Sequence, residues 1–64
     1  MTDADILKTT ATHMYGELRF DIVRQDRRQY FRLLRNGSST GSLTTREKAV
    51  ETIAYWRRRG WVID

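Results

Sequence analysis

Glu17-Leu18-Arg19-Phe20-Asp21-Ile22-Val23-Arg24, then Gln25-Asp26-Arg27-Arg28, then Gln29-Tyr30-Phe31-Arg32-Leu33-Leu34-Arg35 is the stretch that decides the fold. In its first part Leu18, Phe20 and Ile22 alternate with Arg19, Asp21 and Val23, the period of two that marks a strand with one buried face. The second run, Gln29 to Arg35, is again rich in strand formers, so the two read as a hairpin across a polar interval. A loop of two or four residues centred on Arg27-Arg28 sets Ile22 opposite Leu33, Val23 opposite Arg32 and Gln25 opposite Tyr30. That register gathers Phe20, Ile22, Phe31 and Leu33 on the core face. Arg19, Val23, Tyr30, Arg32 and Leu34 take the other, and a slip of one residue would exchange the two sets.

Downstream, Asn36-Gly37 is the strongest local signal, because a type I′ turn needs positive φ at both central residues and Asn-Gly tolerates it. It predicts a third strand over Ser39 to Leu43. The composition Ser38-Ser39-Thr40-Gly41-Ser42 leaves a flexible loop as the competing reading. Thr44 with Glu47 three positions later has the form of a capping box, opening a helix from Thr45 to Arg59. On that helix Ala49, Val50, Ile53 and Trp56 share one stripe, away from Glu47, Glu51, Tyr55, Arg58 and Arg59. Arg57, Arg58 and Arg59 suit the negative end of the helix dipole, and Gly60 stands at the C′ position. Trp61-Val62-Ile63 then returns as a short strand or as a tail over the core.

Upstream, Thr2 and Asp5 form a weak relative of the capping box, with acids well placed for the dipole of a short helix from about Asp3 to Lys8. Thr9, Thr10 and Thr12 disfavour its continuation, so the remainder up to residue 14 reads as an extended lead-in, and the first residues as partly disordered. The expected fold is α+β in a single domain, 1–64. An antiparallel meander of two to three strands over 17–43 packs on one C-terminal helix over 45–59. A short N-terminal helix and a short strand or tail over 61–64 complete it.

Composition narrows the function. A chain of 64 residues lies near the lower size for independent folding. It has no Cys, hence no disulfide, and His13 is the only histidine, which makes a zinc site improbable. Self-association, as in a homodimer, or a partner surface is the remaining way to reinforce so small a core. No apolar run is long enough to cross a bilayer, and residues 1–17 lack the basic-then-apolar order of a secretory signal, so the cytoplasm is the expected location.

The net charge of +4 is unevenly placed. Residues 1–17 carry one Lys against three carboxylates, giving −2, and residues 18–64 carry eleven basic against five acidic side chains, giving +6. Ten of the twelve basic residues are Arg, whose planar fork suits phosphate, carboxylate and stacked aromatic partners, although Arg bias also arises on an ordinary solvated surface.

Nothing signals a nucleophile with its base, a carboxylate pair or a Gly-rich phosphate loop, so an enzyme is not expected and no cofactor is implied. His13 reads as a structural residue, exposed or partly packed, and Trp56 and Trp61 as core. The candidate contacts to nucleic acid, or to an acidic or nucleoprotein partner, are Arg19, Arg24, Arg27, Arg28, Tyr30, Arg32 and Arg35 on the hairpin, with Arg57, Arg58 and Arg59 as a second focus.

The meander-plus-helix order over about residues 18–60 is similar to the three-stranded, one-helix DNA-binding modules at the N-termini of some phage integrases and in plant AP2 domains. The likeness rests on element order alone and carries no diagnostic motif. It implies an exposed sheet face in the major groove, with Arg19, Arg32 and Tyr30 at the matching positions. A short, hydrophilic chain without a catalytic set also resembles phage accessory proteins, including anti-CRISPR inhibitors that block a host complex. The same Arg and Tyr residues would serve such a protein interface.

Overall fold

Two tight turns fix the centre of the sheet. Asp26 and Arg27 have φ of 51° and 64°, and Asn36 and Gly37 have φ of 50° and 82°, so each pair supplies the two positive values that a type I′ hairpin requires. The first turn joins β2 (Gly16–Gln25) to β3 (Arg28–Arg35), and the second joins β3 to β4 (Ser38–Thr44). The structure, a computed structural model, describes residues 1–64.

The β2–β3 register pairs Phe20 with Leu33, Ile22 with Phe31 and Val23 with Tyr30. This corrects the expected pairing of Ile22 with Leu33, Val23 with Arg32 and Gln25 with Tyr30. The turn is the two-residue Asp26-Arg27, one step earlier than a loop centred on Arg27-Arg28, and the strands therefore slide by two residues. An even slide leaves every side chain on its expected face.

The sheet is larger than the sequence suggested. It has five antiparallel strands in the order β4-β3-β2-β1-β5, against the two to three expected, and two helices, within the expected α+β class. The additional strand β1 (Thr10–His13) lies in the segment read as a lead-in; it pairs Ala11 with Leu18 on one side and with Ile63 of β5 (Val62–Ile63) on the other. Ala11 is fully buried, so the alternation Thr10-Ala11-Thr12 does encode one buried face.

Helix α1 (Asp3–Lys8) is closed at its start by reciprocal hydrogen bonds. The Thr2 amide donates to Asp5 Oδ2 at 2.9 Å and the Asp5 amide donates to Thr2 Oγ1 at 3.2 Å. It contributes the fully buried Ile6. Helix α2 (Arg46–Arg58) is capped by Thr45, whose hydroxyl accepts from the Lys48 amide at 3.3 Å. The expected Thr44–Glu47 box does not form, because Thr44 is the last residue of β4, paired with Phe31. At the other end the Trp61 amide donates to the Trp56 carbonyl (3.0 Å) and the Gly60 amide to the Arg57 carbonyl (3.2 Å), with Gly60 at φ 89°. This is the Schellman closure that Gly at C′ permits.

Both helices pack on one face of the sheet. Ile6, Ala11, Leu18, Phe20, Phe31, Ala49, Ile53 and Trp56 form one buried cluster, with Ile22, Leu33, Val50, Trp61 and Ile63 against its margin. Phe20 is its centre, stacked on Trp56 at 5.4 Å and edge-on to Phe31 at 6.3 Å. The opposite face of the sheet has no covering layer. No helix is long and apolar enough to cross a membrane.

Candidate nucleic-acid interface

Strand alternation and register determine which side chains share the uncovered face. Odd residues of β2 and even residues of β3 lie there, so Arg19, Asp21, Val23 and Gln25 stand beside Leu34, Arg32, Tyr30 and Arg28 respectively. From β4 come Leu43, opposite Arg32, and Ser39, opposite Leu34. Beyond β2 the face continues through Thr10 and Thr12 of β1 to Val62 of β5. Leu34 is buried on this face, outside the main core.

The charges of the face are partly satisfied within it. Arg32 donates to both oxygens of Asp21, from Nε at 3.0 Å and from a terminal nitrogen at 2.6 Å. This fork geometry is the strong form of a carboxylate–guanidinium pair. It holds the Asp21 carboxyl below its ordinary value of 3.8 and raises the Arg32 guanidinium. Arg19 approaches Glu17 more loosely, at 3.7 Å. Arg28 takes part in no ion pair.

A shallow groove of about 440 Å³ runs along this face between Val23, Arg24, Arg32, Ser39, Gly41 and Leu43. Its outer wall is β4, whose residues Ser38 to Leu43 are all exposed. Gly41, at φ 82°, lies within the irregularity where Leu34 faces Ser39 but Arg32 faces Leu43, which puts three residues of β4 against one of β3.

The sequence-derived candidates do not form a single cluster. Arg19, Arg28, Tyr30 and Arg32 share the open face. Arg27 occupies the β2–β3 turn. Arg24 and Arg35 fall by alternation on the helix side, as neighbours of Gln29 and Leu18, although Arg24 also borders the groove. Arg57, Arg58 and Arg59 lie at the C-terminus of α2, where the Arg59 guanidinium carbon sits 5.9 Å from the centre of the Tyr55 ring. Trp56 is core, whereas Trp61 is only half-buried.

One grouping escaped the sequence reading. His13 lies between Trp61 and Tyr15, with ring centres 4.8 Å and 5.4 Å apart, because β1 pairs with both β2 and β5. Residues 48 positions apart along the chain meet there, and no local pattern announces such a contact. No protein-family model, curated protein or solved structure matches this chain.

Proposed function

We propose that this is a small, basic, non-enzymatic binding protein that contacts nucleic acid through the open face of its sheet. One observation carries the reading: both helices pack on the same side, and the uncovered side presents Arg19, Arg28 and Arg32 with Tyr30 in adjoining register positions. Guanidinium groups grip phosphates, and an aromatic ring among them can stack on a base or lie against a sugar. The Asp21 carboxylate competes with phosphate for the Arg32 fork, so Arg28, which has no carboxylate partner, is the most available guanidinium of the face.

Titration of labelled duplex and single-stranded oligonucleotides at several salt concentrations tests this. Affinity should fall linearly with log salt, with a slope close to −0.9 per phosphate contacted on duplex. Arg28→Ala, which breaks no ion pair, should reduce that slope by about 1 without altering the fold. Absence of binding near about 50 mM salt would remove the proposal.

A second reading draws on the same face. Its internal Arg32–Asp21 pair and the exposed Leu43 and Val62 give it a mixed charge and apolar character that suits a protein surface. In that case the chain is a phage-type accessory protein that inhibits a host protein or nucleoprotein complex, as anti-CRISPR inhibitors do. A single stoichiometric partner that survives nuclease treatment favours it over direct nucleic-acid binding.

A further inference from the structure

The end of the sheet opposite the Asp26-Arg27 turn carries a partly enclosed pocket of about 290 Å³, bordered by His13, Tyr15, Glu17, Arg35 and Trp61. Three of these are aromatic or heteroaromatic: His13 sits between the other two, 4.8 Å from Trp61 and 5.4 Å from Tyr15, and Tyr15 is 82% exposed, which leaves its ring open to a ligand. The two charges at the rim are unequal. Glu17 faces Arg19 at 3.7 Å, whereas Arg35 has no carboxylate within ion-pair distance. The uncommitted charge is therefore positive, which argues against a cation held in an aromatic cage. Flat π-surfaces beside one free guanidinium suit a ligand that is planar at one end and anionic at the other.

We propose that this pocket takes one nucleotide, with its base against the His13, Tyr15 and Trp61 rings and its phosphate at Arg35. The inference deepens the nucleic-acid reading where the nucleotide belongs to a single strand, since an unstacked base is what such rings accept. A free nucleoside monophosphate has the same chemistry and would bind without any contact to the open face.

Trp61 fluorescence supplies the test, because Trp56 is buried against Phe20 and provides a constant background. The full chain is titrated with AMP and, separately, with a single-stranded octathymidylate. Expected is a saturable change in emission that disappears in Trp61→Phe. The affinity should be about tenfold or more weaker in Tyr15→Ala and in Arg35→Ala, each checked for an unchanged circular dichroism spectrum.

Binding of AMP with no binding of duplex leaves the pocket standing and removes the open-face reading. A response to the octamer alone, weakened in both variants, identifies the strand as the source. The proposal is overturned if neither probe changes the emission. It is equally overturned if the octamer binds both variants as tightly as the parent chain and loses affinity only in Arg28→Ala.

Discussion

The side-chain amide of Asn36 occupies the space that a β-carbon on Gly16 would need: such an atom would lie 2.7 Å from Asn36 Oδ1 and 2.9 Å from Nδ2. The same Oδ1 accepts the Glu17 amide at 2.9 Å, and the Asn36 amide donates to the Glu17 carbonyl, also at 2.9 Å. One residue of the β3–β4 turn thereby clamps the start of β2. Gly16 is required twice over, by this approach and by its φ of 145°. Gly16→Ala should destabilise the protein by about 1–3 kcal/mol in urea unfolding. In an Asn36→Gly background, which keeps the turn and removes the obstructing amide, the cost should shrink. Equal costs in the two backgrounds would show that the Gly16–Asn36 contact is not what matters.

The Asp26-Arg27 turn places two non-glycine residues at positive φ, a conformation that a side chain such as Arg resists. Arg27→Gly should therefore stabilise the fold by roughly 0.5–1 kcal/mol, after the greater freedom of glycine in the unfolded chain is counted. Thermal unfolding would show a midpoint a few degrees higher. A lower midpoint would mean that Arg27 makes a stabilising contact outweighing its backbone strain.

Phe20 is 2% exposed and touches both Phe31 and Trp56 through its ring. Truncation to Ala should cost about 3–5 kcal/mol, comparable with the whole stability expected of a core this size. Phe20→Ala should thus be largely unfolded at 25 °C by far-ultraviolet circular dichroism. Tyr55→Ala, on the exposed side of α2, should stay folded.

The depressed carboxyl of Asp21 links stability to pH. Its folded value lies below the ordinary 3.8, chiefly through the hydrogen bonds from Arg32, so its contribution is complete above the unfolded value and is lost as pH falls through the folded one. Asp5, lowered by its hydrogen bonds with Thr2, acts in the same direction. The unfolding midpoint should be flat from about pH 5 to 7 and decline below about pH 4. Asp21→Asn should be less stable at neutral pH and show a shallower acid decline. An unchanged decline would assign the acid sensitivity to other carboxylates.

Asp21→Asn also bears on binding. It removes one negative charge from the open face and releases the Arg32 guanidinium. On the nucleic-acid reading the variant should bind oligonucleotides more tightly, with a salt slope steeper by up to about 1. Weaker binding would mean that a pinned, pre-oriented Arg32 is worth more than a free one. No effect at all would exclude this face.

Elements defined by contacts between near neighbours in the chain were legible without coordinates. Asn36-Gly37 announced its turn, Gly60 the end of α2, and the Ala49, Ile53 and Trp56 stripe the buried side of that helix. The two faces of the β2–β3 hairpin were also readable, since alternation survives a register error of two residues. The capping position was misplaced by one residue because Thr44 and Thr45 are chemically equivalent candidates, and only the pairing of Thr44 with Phe31 in the sheet separates them.

Local chemistry thus settled the Asn36-Gly37 turn, the C-terminal end of α2 and the two faces of the β2–β3 hairpin. Tertiary packing alone decided the number of strands, their order and the side-chain groupings at the sheet's ends. The physical reason is range. A φ preference or a cap acts over a few residues and is written in their identities, whereas β1 exists because Leu18 and Ile63 flank Ala11 from opposite sides. That long-range pairing brings His13 against Trp61, whereas Arg32 meets Asp21 through the β2–β3 register that the two-residue Asp26-Arg27 turn imposes.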